Sequence, residues 1–378
     1  MHVAIDAAIA HPRGGGVGNY AMRIIDGLAH TEGVRVTALV PEESVGEVVL
    51  PKQSPKFRFT TVPVPADAPS ERFARREYWE QRVLPEHVDS VDPDIFFGPL
   101  SMGPINWPGI KVVTVHDLAF EHFTGHNAQC PPAYYSYYSR WARKCASDAR
   151  ALLCVSHDTR ADVEERWGIL GKSHVTHIAP CLDFVPADRA SSVRLIQETF
   201  SLREPFCLYV GGAFPRKNVA RLIEAASLCP DITEKFPLVL ALEDSDELSR
   251  LIHEYQLEHC VRLIGHCPSR LLPHLYRAAQ LVVYPSLSEG FGLPPLEALS
   301  CGTAVAATKA GAVPEILQDN AVYFEPRVPE SIAAALSRLI QDRGLRHRLG
   351  RDGKAFAASY TWERTTAATA AVLGSCLP

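Results

Sequence analysis

Short apolar runs alternate with stretches of helical period along almost the whole chain. In the first half the runs are HVAIDAA, VRVTALV, DIFFGP, KVVTVHD, ALLCVS and HVTHIAP. In the second half they are FCLYVGG, PLVLALE, VRLIGH, AQLVVYPS, TAVAAT and AVYFEP. Helical patterns lie between them, for example 18–30, 157–167, 218–229 and 329–340. Continuous apolar strands separated by helices predict parallel sheets covered on both faces, because such strands have no solvent side to leave polar. The rhythm breaks around 183–205, where a polar segment follows HVTHIAP and a fresh strand–turn–helix begins at FCLYVGGAFPRKN. A boundary near 185 divides the chain into residues 1–185, residues 186–360 and a final helical stretch, 361–378. The expected class is α/β: two Rossmann-like, doubly wound domains facing a central cleft, since open parallel sheets bind ligands at the carboxyl ends of their strands.

Composition changes this picture little. A length of 378 residues suits two such domains better than one. The 47% hydrophobic and 21% charged content is that of an ordinary globular protein. A net charge of −5 gives no basic field, so no nucleic-acid partner is expected. No stretch reaches the roughly 20 apolar residues of a spanning helix. The opening MHVAIDAAIAHPRGGG lacks the basic-then-apolar order of a signal peptide, so the expected location is cytoplasmic. The ten cysteines form no C-x-x-C pair, and Cys154 and Cys207 sit in strand runs as small hydrophobes. Neither disulfides nor a metal site is expected of them.

Four stretches carry candidate chemistry. In SEGFGLPPLEALSCG, residues 288–302, Glu289 and Glu297 flank Gly290, Gly292 and two prolines. Pro294 and Pro295 mark a helix start. Glycines there let the backbone approach an anion, and the helix dipole favours negative charge. The prolines have no N–H, which leaves Gly292 and Leu293 as donors, with Leu296 a third candidate. Glu297 is placed in the first turn, where it accepts from ribose hydroxyls. The plainer reading, a dipole-complementing Glu297 and a solvated Glu289, loses to the glycine–proline context. In VGGAFPRKN, residues 210–218, a strand ends in glycines and Asn218 is a candidate N-cap. Arg216 and Lys217 then stand beside the positive end of a helix, unfavourable by up to about 1 kcal/mol each. That placement makes sense around a diphosphate, which suits both an arginine fork and a lysine point charge. Both side chains are expected to be exposed.

The third stretch, PRGGGVGNY at 12–20, lacks a clean G-x-G-x-x-G, and only Glu42 and Glu43 follow the next strand. A dinucleotide site is weakly supported, and the glycines more simply allow a loop whose N–H groups face the cleft. The fourth, KVVTVHDLAFEHF at 111–123, puts His116 and Asp117 at the end of a buried strand. His116 serves either a sugar hydroxyl or the packing alone, and the residues leave both readings open.

Together GGGVGNY, HDLAFEHF, VSHDTRADV, YVGGAFPRKNVARLIEA and PSLSEGFGLPPLEALSCGTAV resemble the retaining glycosyltransferases of family 4, with GT-B architecture. The subgroup most similar is that of bacterial mannosyltransferases of O-antigen and exopolysaccharide assembly. The resemblance implies that the final helix near Trp362 crosses back to the first domain. It also implies roles: Arg216 and Lys217 grip the donor diphosphate, Glu289 contacts the transferred sugar, and Gly292 and Leu293 offer N–H groups. Glu297 holds the ribose, His116 faces the sugar, and Gly15 and Gly16 close over the phosphates. The implied donor is GDP-mannose, ahead of GDP-rhamnose or a UDP-hexose, and the acceptor is a glycan or lipid-linked glycan. A departure is APCLD at 179–183, where relatives carry an asparagine–glycine turn, so the hinge geometry stays open.

A departing nucleoside diphosphate needs its charge stabilised. Asp92-Pro93-Asp94 and Asp244-Ser245-Asp246 have the spelling that holds a divalent cation, but neither belongs to the glycine–acid loops. Arg216, Lys217 and helix N-termini supply the same electrostatics. No metal or other cofactor is therefore expected, and same-face substitution is preferred to double displacement through Glu289. A GT-B sugar-nucleotide epimerase, a non-catalytic nucleotide-sugar-binding protein and an NAD-dependent enzyme are the competing readings. One further segment bears on the acceptor. In PAYYSYYSRWARKCASDAR, 132–150, Tyr134, Tyr137, Tyr138 and Trp141 share a helical face beside Arg140, Arg143 and Lys144. It is either a core-facing stripe with a solvated basic side or an interfacial helix that meets anionic membrane headgroups. SERFARREYWEQRV at 70–83 is nearly balanced in charge and makes the weaker patch.

Overall fold

The computed structural model describes residues 1–123, 132–180 and 188–378, which form two compact units. Among the described residues the first unit takes the chain up to Ala179 and then Tyr360–Pro378, and the second takes Pro180–Ser359. The boundary expected near 185, and the APCLD turn from Cys181 onward, lie outside the described residues.

The first unit is built on a seven-stranded sheet: β1 (His2–Asp6), β2 (Arg35–Pro41), β3 (Phe57–Val62), β4 (Ile95–Gly98), β5 (Ile110–Val115), β6 (Ala151–Cys154) and β7 (Ser173–Val175), ordered β3-β2-β1-β4-β5-β6-β7. Every neighbouring pair is parallel. The apolar pattern misses β3, whose FRFTTV is an edge strand with most positions at least partly open to solvent. At the opposite edge HVTHIAP contributes only the short β7, which has no buried residue.

The second unit carries β8 (Cys207–Val210), β9 (Leu238–Ala241), β10 (Val261–Leu263), β11 (Leu281–Tyr284), β12 (Ala304–Thr308) and β13 (Val322–Phe324), ordered β10-β9-β8-β11-β12-β13 and again wholly parallel. Strands β9, β11 and β12 are buried at every position, which is why they read as unbroken apolar runs. The polar stretch before β8 is not a loop. It folds as the helix Arg189–Phe200, capped by the Asp188 carboxylate on the amides of Ala190 and Ser191.

Each sheet reverses its order once, between β1 and β4 and between β8 and β11. Connections leave in opposite directions there and open a crevice at the carboxyl ends. The last helix, Trp362–Ser375, belongs to the first unit, as the resemblance implies. Thr365 donates to the His177 carbonyl at 2.8 Å, and the Trp362 ring lies 6.2 Å from that of Tyr20. Among the described residues no helix is long and apolar enough to cross a membrane.

Candidate active site

At the second switch point the loop leaving β8 tightens into a 3₁₀ turn, Pro215–Lys217, followed by Asn218 in the left-handed conformation at φ 61°. Asn218 occupies the N-cap position, but its side chain caps nothing, contrary to expectation. Its Nδ2 instead donates to the carbonyls of Pro285 (3.0 Å) and Pro326 (2.7 Å). One buried amide thus ties the loop after β8 to those after β11 and β13. The Leu287 N–H donates to the Arg216 carbonyl at 2.7 Å and completes the stitching. These bonds aim Arg216 and Lys217 at Glu289.

Arg216 Nη1 donates to Glu289 Oε2 at 2.9 Å, and Lys217 Nζ to Oε1 at 2.6 Å. The three side chains are 19%, 13% and 9% exposed, so the cations are largely buried rather than exposed as expected. Glu289 makes that burial possible, because an uncompensated buried charge costs several kcal/mol. Burial alone pushes the Glu289 carboxyl up, but Lys217 and then Arg216 outweigh it and hold it down at about 2. Glu289 is therefore ionised near neutral pH, and the formal charges of the three side chains sum to one positive. Lys217 Nζ also lies 5.5 Å above the Tyr284 ring, whose hydroxyl burial and Glu289 keep neutral. Gly311, at φ +61°, holds the far side. A Cβ there would come within 2.6 Å of the Glu289 carbonyl oxygen, and the Ala312 N–H donates to that oxygen at 3.0 Å.

The helix Leu293–Ser300 begins at the two prolines, with Gly292 at its N-cap and no side-chain cap. Among the described residues the amides of Gly292 and Leu293 have no intrahelical partner, whereas that of Leu296 closes the first helical hydrogen bond. Glu297 stands in the second turn, not the first as expected, because the helix starts at Leu293. Tyr276 donates its hydroxyl to Glu297 Oε2 at 3.2 Å. Burial raises the Glu297 carboxyl to about 7, and Tyr276 offsets only part of this.

At the carboxyl edge of the first sheet, the helix Gly15–His30 starts with neither a side-chain cap nor an acid in its first turn. Gly15 takes φ 61° and ψ −142°, a region open only to glycine, and its N–H is spent on the Pro12 carbonyl. Gly16 therefore holds the open amide of the pair. His116 Nε2 lies 2.9 Å from the Pro99 carbonyl. A carbonyl only accepts, so the proton sits on Nε2 and Nδ1 presents its lone pair. Burial lowers the pKa of this imidazole, and Tyr20 packs edge-on against it at 4.8 Å.

Residues 14–183 match Glycosyltransferase Family 4, and residues 195–356 match Glycosyl transferases group 1. O-antigen chain mannosyltransferase B of Escherichia coli is 31% identical over 268 residues, 68% of this chain and 68% of that one. The chain belongs to the family-4 glycosyltransferases. Two solved structures share its GT-B fold. Sucrose-phosphate synthase from Thermosynechococcus elongatus gives a TM-score of 0.76 at 18% identity, over 99% of this chain and 98% of that one. Anabaena HepE in complex with UDP and glucose gives 0.75 at 17%, over 99% and 100%.

The transferase brings Arg216, Lys217 and Glu289 into direct contact and sets Gly292, Leu293 and Glu297 on the next helix, while Gly15, Gly16 and His116 stand on the first sheet. The sequence gives no warning of Gly311, which lies in no motif, or of Tyr284 and Tyr276, which read as core. Asp94 Oδ2 accepts the His2 N–H at 2.6 Å at the amino end of the first sheet, and Asp244 Oδ1 accepts the Ser249 hydroxyl at 3.0 Å. Both Asp-x-Asp pairs are thus engaged in local structure. In the helix Pro132–Asp148, Tyr137 is buried and Tyr134, Tyr138 and Trp141 pack on the same core cluster. The rings serve the core, which leaves Arg140, Arg143 and Lys144 exposed outside it. The described cysteines are free thiols, all buried except Cys301.

Proposed function

We propose that the transferase moves mannose from GDP-mannose to a glycan or lipid-linked glycan of a bacterial polysaccharide, with retention and without a metal ion. The observation that carries this reading is the charge count at the second switch point, where two cations share one buried carboxylate beside an uncapped helix start. A nucleoside diphosphate is the anion that fits such an excess. As the bond from the anomeric carbon to the diphosphate breaks, its electron pair goes to the phosphate oxygen, and Arg216 and Lys217 stabilise that charge. The same oxygen takes the acceptor hydroxyl's proton while the acceptor oxygen bonds to the anomeric carbon on that face. Glu289 is a sugar-contacting group rather than a nucleophile, because each of its oxygens is already held by a cation. Glu297 receives the ribose hydroxyls; on the first unit, taken by itself, the Gly15–Gly16 turn offers an amide to phosphate and His116 Nδ1 accepts from a sugar hydroxyl.

Mannose rests on the relative from Escherichia coli, whose name records that sugar. HepE, solved with UDP and glucose, supplies the rival donor class, a UDP-hexose. Thermal shift against GDP, UDP and ADP decides between them, with GDP expected to stabilise most; stabilisation by UDP alone assigns a UDP-hexose. Consumption of GDP-mannose should persist in excess EDTA, and loss rescued by magnesium or manganese would refute metal independence. Consumption without a glycoside product would point to an epimerase. The reading extends to the cytoplasmic face of an anionic membrane, met by Arg140, Arg143 and Lys144. Co-sedimentation with anionic vesicles, reversed by salt, checks that extension.

A further inference from the structure

The switch point of the first sheet, between β1 and β4, holds a charged network of its own. Asp6 closes β1 and is 4% exposed. The helix Arg72–Tyr78 continues through a π-helical turn, Trp79–Val83, into the helix Leu84–Ser90. That wide turn buries three consecutive residues, Trp79, Glu80 and Gln81, which an α-helical period does not. Such turns occur frequently at functional sites. Trp79 Nε1 donates to Asp6 Oδ1 at 3.0 Å. Arg76 donates from Nη2 to Asp6 Oδ2 at 2.7 Å and from Nε to Glu80 Oε1 at 2.5 Å. The Tyr137 hydroxyl donates to the second oxygen of Glu80. Gln81 Nε2 donates to the Gly103 carbonyl at 3.0 Å, and its Oε1 accepts the Ile105 N–H at 3.3 Å. The turn thereby fixes the loop after β4, which carries Pro99, the partner of His116.

Two nitrogens of Arg76 are locked by carboxylates. The third, Nη1, has no partner among the described residues, and the side chain is 16% exposed at the carboxyl end of β1. We propose that Arg76 is an acceptor-binding residue whose Nη1 donates to a hydroxyl oxygen of an uncharged sugar, with Asp6 and Glu80 as the groups that position it. The charge count selects a neutral ligand. Two carboxylates face one guanidinium, and burial raises Glu80 to about 7 despite Arg76, so the trio carries between zero and one negative charge near neutral pH. The two carboxylates already balance the guanidinium, so a phosphate finds no excess positive charge there, whereas a hydroxyl needs only the one N–H. The inference rests on the transferase reading above.

Transfer from GDP-mannose to methyl α-D-mannopyranoside, measured for the wild type and R76K, tests it, with the thermal shift by GDP recorded alongside. Lysine keeps the charge but gives up the fork that spans both carboxylates and the ligand. The acceptor KM should rise about tenfold, as for one hydrogen bond from a charged donor, while GDP stabilises the variant as it does the wild type. An acceptor KM within about twofold of the wild type overturns the assignment. The wild-type protein gives a second measurement, free of any folding defect: mannose 6-phosphate should be at least about tenfold poorer than the methyl glycoside. Equal or better use of the phosphorylated sugar overturns the proposal. Donor consumption separates the two failures. None with any sugar nucleotide defeats the transferase reading, whereas consumption with an unchanged R76K acceptor KM defeats only the role of Arg76.

Discussion

At the end of β8 two cations share one carboxylate, and at the end of β1 two carboxylates share one cation. Both trios stand at the switch point of a parallel sheet, on the loops and helices that leave its carboxyl edge. On the proposed reading topology sets where a ligand goes, and charge stoichiometry sets which. The formal charges of the second-unit trio sum to one positive, which suits an anion. The first-unit trio is satisfied without one, and what it offers is a single oriented N–H.

The largest effect expected from this contrast is on turnover. Arg216→Ala or Lys217→Ala should each cost roughly 10²–10³ in kcat, about 2.7–4 kcal/mol, as for a lost electrostatic stabiliser. Stabilisation by GDP should fall with it, and near-normal turnover in both variants would break the donor half of the comparison. Next comes Glu289→Gln, which leaves two buried cations facing a neutral amide and should cost about 3 kcal/mol of stability. The folded pKa is about 2, below the ordinary 4.5, so this contribution is present above pH 4.5 and lost as pH falls towards 2. Chemical denaturation at pH 7 and near pH 2 should show the gap between wild type and variant closing. A gap that survives acid would place its origin elsewhere.

Gly311→Ala forces a side chain into the left-handed region and against the Glu289 backbone. About 1–3 kcal/mol of stability should go, with donor turnover falling alongside. Unchanged turnover would mean that Glu289 tolerates displacement. The smallest effect belongs to Glu297→Gln. A folded pKa near 7 penalises the ionised form from pH 4.5 upward and fully above 7. The unliganded variant should therefore melt about 2 °C higher at pH 8 and no higher at pH 4, while GDP stabilises it less. A variant less stable than the wild type at pH 8 would overturn that sign.

The donor side was legible where the backbone dictates residue type. Glycine for close approach, proline at a helix start and a run of cations beside it are local demands, so 210–218 and 288–302 stood out. The pairing itself was not legible. Glu289 meets Arg216 and Lys217 only because Asn218 and Leu287 bind two distant loops together, and that changes the expected exposure of both cations. On the first unit the reverse holds. Segment 70–83 reads only as a nearly charge-balanced, weaker membrane patch, because its π-helical turn breaks the α-helical period that would show its buried face. Edge strand β3 escaped for a related reason, since half-solvated strands lack an apolar run.

The carboxylate between Arg216 and Lys217 also bears on how the catalytic cycle closes. A nucleoside diphosphate left on two naked buried cations would sit in a deep electrostatic well, and its escape would limit every turnover. On the proposed donor reading, with Glu289 already drawing on both cations, the spent nucleotide would be held against a single excess charge. On that reading the ion pair that stabilises the resting protein stays made in the complex, so release of the product exposes no uncompensated buried cation. Glu289 would then help to set residence time on the side of the cycle that the acceptor never sees.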